Sequence, residues 1–105
     1  MNLSLEINAI IKLLNNREFK KVISICERLI KKKIINTQIY NFYGLALQNL
    51  GNFDKSIKCF NKSIEIEPTN YYAYNNLAIS LKSIEKFKLA EKAYKNCLNL
   101  NPQYF

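Results

Sequence analysis

The sequence repeats itself every 34 residues, and that period limits the chain to an architecture of stacked, equivalent units. Pro68 and Pro102 are 34 apart, and the same step links Tyr40 to Tyr74, Asn41 to Asn75, Leu47 to Leu81, Phe53 to Phe87 and Lys58 to Lys92. One step further back brings Leu13 and Phe19 into phase. The units are 3–36, 37–70 and 71–104, which account for 102 of 105 residues. Units two and three are identical at only six positions, but their apolar phases recur faithfully. Ala9, Tyr43 and Leu77 align, as do Ile10, Gly44 and Ala78. So do Val22, Ser56 and Ala90, then Cys26, Phe60 and Tyr94, then Leu29, Ser63 and Cys97.

Each unit reads as a pair of helices. In unit two, Tyr40, Tyr43, Gly44, Leu47 and Leu50 follow the i, i+3, i+4, i+7 spacing of one amphipathic face. Gly51-Asn52 then tolerates the left-handed backbone that ends a helix. Asp54 is placed to cap the second helix, whose apolar positions are Ile57, Phe60, Ile64 and Ile66, and Pro68 stops it. Unit three repeats the scheme with a turn near Glu85-Lys86 and closes at Pro102. Unit one is degenerate, with Glu6 at the Tyr40 phase and Ile34 at the proline phase, as end units of a stack often are. The expected helices are 3–15, 18–33, 37–50, 54–67, 71–84 and 88–100. Gly and Pro number only two each, too few for the frequent turns of an all-β fold.

The period and the pattern Tyr40, Tyr43-Gly44, Leu47, Phe53, Ser56, Phe60, Pro68 resemble the tetratricopeptide repeat, and Ala78, Ala90 and Pro102 carry the resemblance into unit three. The resemblance implies an all-α, right-handed solenoid of three helix-turn-helix repeats. It also implies that the concave face is lined by the first helix of each unit and binds a protein or peptide segment. The groove positions so implied are Asn8 and Ile11 in unit one, then Asn41, Phe42 and Leu45 in unit two. In unit three they are Tyr72, Asn75, Asn76 and Ile79. Ser4, Ile7, Asn15, Gln38, Gln48, Asn49 and Lys82 flank them. An Asn carboxamide both donates and accepts, so it can pair with the backbone of an extended peptide. One variant of the family grips the C-terminal carboxylate of heat-shock chaperones with Lys, Asn and Arg. Its phases here hold Ile7, Ile11, Phe42, Tyr72 and Asn76, and no cation is present to pair with a carboxylate.

The counts bear on chemistry as well. Without a single His there is no imidazole base, no Cys-His pair and no His-containing zinc site. Cys26, Cys59 and Cys97 are far apart and odd in number, which reads as buried small apolar residues in a reducing, cytoplasmic setting. Neither Gly44 nor Gly51 belongs to a phosphate loop, and no run reaches membrane-spanning length. The expectation is a chain that is not an enzyme and takes no cofactor or metal.

Three further readings stay open. A net charge of +8 places Lys21, Arg28, Lys55, Lys58, Lys62, Lys92 and Lys95 mostly on second helices, with Lys31-Lys32-Lys33 at one helix end. Such a convex stripe is an alternative binding surface for nucleic acid or an anionic membrane. Lys enriched by codon bias and only two Arg among sixteen cations weigh against it. The stretch Tyr72-Ala73-Tyr74-Asn75-Asn76-Leu77-Ala78 is similar to the Tyr-x-Asn-Leu-Gly units of peptide O-glycosyltransferases, which makes this chain a segment of a longer enzyme in that reading. Finally, the sequence stops at Gln103-Tyr104-Phe105, with Leu89, Ala93, Leu98 or Leu100 lacking a following helix. That end implies a longer repeat array or self-association through the last helix.

Overall fold

The computed structural model describes residues 2–104, so Met1 and Phe105 lie outside the described residues. Among the described residues six helices follow one another: α1 (Leu3–Asn15), α2 (Phe19–Lys31), α3 (Thr37–Asn49), α4 (Phe53–Ile66), α5 (Tyr71–Ser83) and α6 (Phe87–Leu100). All six fall where the periodicity predicts, with ends shifted by no more than two residues. Packing is sequential, α1 on α2, α3 on α4 and α5 on α6, with α2 on α3 and α4 on α5 joining the pairs. The stack is elongated, 39 × 25 × 23 Å. Among the described residues no helix is long and apolar enough to cross a membrane.

Asparagine starts the first helix of every pair. Asn2, Asn36 and Asn70 are themselves 34 apart, and each side chain accepts from a backbone N–H in the first turn, at Ser4, at Gln38 and Ile39, and at Ala73. These bonds satisfy donors that the helix cannot use internally. α4 is capped by Asn52, which accepts from Lys55. The expected cap, Asp54, lies inside the first turn instead, where its charge opposes the helix dipole favourably.

The turn inside each pair is built on one backbone device. Arg17, Gly51 and Glu85, again 34 apart, have φ of 58°, 81° and 63°. Each gives its N–H to the carbonyl three residues back, and the following residue reaches five back: Arg17 to Leu14 and Glu18 to Leu13, Gly51 to Gln48 and Asn52 to Leu47, Glu85 to Lys82 and Lys86 to Leu81. This paired bond closes the orphan carbonyls at a helix C-terminus. Lys33, at φ 61°, repeats it between α2 and α3.

Within a pair, the helices cross at a small residue. Gly44 is buried, and a Cβ there would lie 2.6 Å from Cε1 and 2.8 Å from Cζ of the fully buried Phe60. Where unit two joins Gly44 to Phe60, unit one places Ile10 with Cys26 in one cluster, and unit three Ala78 with Tyr94. α3 and α5 are buried on two sides, which adds Ile39, Ala46, Ala73 and Ser80 to the expected face, whereas Leu50 is an exposed C-cap residue. Buried serines tie helices both between and within pairs: Ser56 Oγ of α4 and Ser80 Oγ of α5 are 2.8 Å apart, and within the second pair Thr37 Oγ1 and Ser63 Oγ are 2.6 Å apart. On α6, Ala93 is buried, while Phe87 (58% exposed), Leu89 (52%), Leu98 and Leu100 remain uncovered.

Two stability outcomes follow from these contacts. Ala is normally better than Gly in a helix by about 0.5–1 kcal/mol, but the clash with Phe60 costs about 1–3 kcal/mol. Gly44→Ala therefore lowers the urea midpoint, and adding Phe60→Leu recovers part of the loss. Glu85→Gly removes the left-handed penalty and raises stability by about 0.5–1 kcal/mol in the same assay.

Candidate peptide-binding groove

The first helices α1, α3 and α5 are neighbours along the stack. Between α3 and α5 lies a cleft of about 630 Å³. Its α3 side carries Gln38, Asn41, Phe42 and Leu45, and its α5 side Tyr72 and Asn76. The connector between α4 and α5 closes one end with Glu67, Thr69 and Asn70, and Tyr71 at the start of α5 stands beside them. Five of the nine residues predicted from sequence thus converge here: Asn41, Phe42, Leu45, Tyr72 and Asn76. Asn8 and Ile11 are exposed on α1 and Ile79 is exposed on α5, all outside this cleft. Asn75 is also outside it, donating from Nδ2 to the Tyr104 hydroxyl at 3.4 Å.

Two flanking residues are withdrawn from ligand contact by internal bonds. Gln48 Nε2 donates to the Asn76 carbonyl at 3.0 Å and to Ser80 Oγ at 2.8 Å, tying α3 to α5. Asn49 Nδ2 donates to the Leu45 carbonyl of its own helix. Asn41 behaves differently: its Oδ1 is buried with no hydrogen-bond partner. An unpaired buried acceptor is costly, about 1–3 kcal/mol.

The mouth of the cleft is aromatic. Tyr71 and Tyr72 have ring centroids 4.5 Å apart, and Tyr104 packs edge-on against both. A hydrogen bond with Tyr71 pushes the Tyr72 phenol up from its ordinary range. The lining includes no Lys or Arg, and Glu67 is its one charged residue. Such a surface suits a neutral or weakly basic segment with apolar side chains. Thr37, the connector residues Glu67, Thr69 and Asn70, and Tyr71 were missed by sequence reasoning. The asparagine period through Asn36 and Asn70 was the available signal, and it was hidden by the abundance of Asn.

The convex cations are partly neutralised. Lys21 pairs with Glu18, Arg28 with Glu6 across α1 and α2, Lys62 with Glu65 and Lys95 with Glu91. Lys55 Nζ sits 5.8 Å from the centre of the Tyr43 ring.

Comparison with known proteins gives a consistent picture. The tetratricopeptide repeat family profile matches residues 37–70, and a second tetratricopeptide repeat profile matches residues 59–92. Together they cover more than half of the chain. The TPR domain of Arabidopsis OM64 superposes with a TM-score of 0.90 at 19% identity, covering 95% of this chain and 83% of that one. The first TPR of Spaghetti (RPAP3), bound to the HSP90 peptide SRMEEVD, gives 0.91 at 17% identity, covering 96% and 80%. MamA from MSR-1 gives 0.85 at 17% identity, covering 99% of this chain and 60% of that one. No curated protein sequence matches the chain.

The three cysteines are free and buried, and none belongs to a metal-binding cluster among the described residues. Burial pushes the Cys26 thiol from its ordinary 9.0 up to about 12 and the Cys59 thiol to about 11. Both are protonated at neutral pH and therefore poor nucleophiles. The folded state holds these protons more tightly than the unfolded chain does, so this contribution is complete below pH 9 and is lost as pH rises through about 11 to 12. Stability measured by urea unfolding should fall between pH 9 and 11, and Cys26→Ala together with Cys59→Ala should flatten that slope.

Proposed function

Because the chain belongs to the tetratricopeptide repeat family, we propose that it is a non-catalytic interaction module that holds an extended peptide segment along α1, α3 and α5. Its units in this reading are 3–36, 37–70 and 71–104. The observation that carries it is the cleft in which Asn41, Phe42, Leu45, Tyr72 and Asn76 converge around an acceptor without a donor. Rotation of the Asn41 carboxamide toward the cleft presents that acceptor to a main-chain N–H of the peptide, which supplies the donor. Phe42, Leu45 and Tyr72 add apolar burial at about 25 cal/mol per Å² without demanding one sequence. Asn8, Ile11, Asn75 and Ile79 extend the track beyond the cleft. The reducing, cytoplasmic setting belongs to the same reading and is supported by the free, buried thiols.

The charge pattern selects among peptides. The Spaghetti domain is bound to SRMEEVD, a segment ending in carboxylates. No cation lines the cleft here, and Glu67 stands at its edge, so such a segment meets repulsion rather than a clamp.

A displayed random peptide library selected on the protein tests the reading. Selected peptides that lose binding when Phe42 and Asn76 are changed should be poor in Asp and Glu and rich in apolar residues. Phe42→Ala combined with Asn76→Ala should weaken them by about tenfold or more, the effect of losing one buried aromatic contact. Lys62→Glu combined with Lys95→Glu should leave them unaltered. SRMEEVD should show no saturable binding in calorimetry. Peptides that respond to the lysine changes and ignore the groove changes overturn the reading.

A further inference from the structure

A second cleft, of about 670 Å³, lies away from the groove, between the second helices α4 and α6. Its floor is Tyr74, Leu77 and Leu81 of α5, and its walls include Ile57 of α4 and Leu89 and Ala93 of α6. The 34-residue period supplies a control within the same chain. One unit earlier, the residue equivalent to Leu77 is Tyr43, and those equivalent to Asn61, Leu89 and Ala93 are Glu27, Lys55 and Cys59. There Tyr43 is buried, its hydroxyl donates to Glu27 Oε2 at 3.1 Å, and Lys55 lies over its ring. The first junction is therefore filled by its own aromatic ring. At the second junction the ring is replaced by a shorter side chain, the cysteine by alanine and the acceptor Glu by Asn. The space left open is apolar at the bottom, where Leu77, Leu81 and Ala93 line it.

The rim carries a definite charge. Lys58, Lys86 and Lys92 border the cleft against one carboxylate, Asp54. None of the three lysines takes part in an ion pair among the described residues, whereas Lys21, Arg28, Lys62 and Lys95 do. An apolar slot ringed by unpaired ammonium groups favours an anchor that is apolar at its tip and anionic at its flanks.

We propose that this convex cleft is a second docking site, and that it takes an acidic protein segment whose single aromatic side chain inserts over Leu77 and Ala93, where the preceding junction inserts Tyr43. The flanking carboxylates of the segment pair with Lys58, Lys86 and Lys92. The site is independent of the concave groove, since the two clefts share no lining residue.

A nine-residue probe, Gly-Ser-Glu-Glu-Phe-Glu-Glu-Ser-Gly, tests this by fluorescence anisotropy and by amide chemical-shift mapping on the full chain. Saturable binding is expected, weakening with added salt because the flanking contacts are exposed ion pairs. Exchange of Phe for Ala in the probe, or of its Glu residues for Lys, should each weaken binding by about tenfold or more. Leu77→Tyr refills the slot and should weaken it similarly, while Lys62→Glu on the same face should not. The mapping needs no variant and guards against misfolding: shifts should centre on Leu77, Leu89, Lys92 and Ala93. The proposal is overturned by absence of binding, by shifts centred on Phe42 and Asn76, or by an Ala probe that binds as well as the Phe probe. It is equally overturned if an RNA oligonucleotide or phosphatidylserine vesicles engage these lysines regardless of Leu77→Tyr while the probe does not bind.

Discussion

The stack depends on the crossing of two helices at one shared space, filled three times by different pairs of side chains. Gly44 yields to Phe60, while Ile10 accompanies Cys26 and Ala78 accompanies Tyr94. Neither partner is constrained alone; what the fold requires is that their volumes complement one another, since a protein interior neither leaves voids nor tolerates overlap cheaply. This explains how units two and three, identical at six positions, both fold as helix hairpins. It also explains the low identity, 17–19%, at which three solved structures share the fold.

Around that crossing, polar side chains hold fixed duties. The left-handed residues Arg17, Gly51 and Glu85 turn each hairpin, and the asparagines at 2, 36 and 70 begin each new one. Asn70 goes further, donating from Nδ2 to Thr37 Oγ1 at 3.0 Å while its oxygen caps α5. One side chain therefore starts a helix and fastens it to the preceding pair. Gln48 fastens α3 to α5 from the other end. These ties hold the α3–α5 cleft open and at fixed width, which lets a groove of small polar residues act as a preorganised surface.

Much of this was readable from the sequence, for a physical reason. Helix positions were legible because burial imposes a 3.6-residue rhythm inside a 34-residue one, and tertiary packing cannot disturb either without losing the core. The second buried side of α3, with Ile39 and Ala46, was not, because a helix enclosed on two sides loses its amphipathic contrast. Ser56 and Ser80, and Ser63 with Thr37, were legible as small residues but not as partners, since hydroxyl hydrogen bonds between helices depend on helix register rather than on spacing. The groove was half legible: Asn41, Phe42, Leu45, Tyr72 and Asn76 meet in one cleft, but Asn75 turns to Tyr104 and Gln48 to the neighbouring helix. Nothing in composition distinguishes an asparagine spent on a cap from one left open to a ligand.

The helices are unequally anchored. α1 fully buries a single side chain, Ile10, and is tied to α2 by the half-exposed Arg28–Glu6 pair, whereas α3 and α5 each bury five residues. In a molecule whose parts touch only their neighbours, local opening is governed by such differences. The array thus has a yielding first helix and a firm centre, so a chain laid across all three units would find a rigid seat in the middle and a hinged flap at its leading edge.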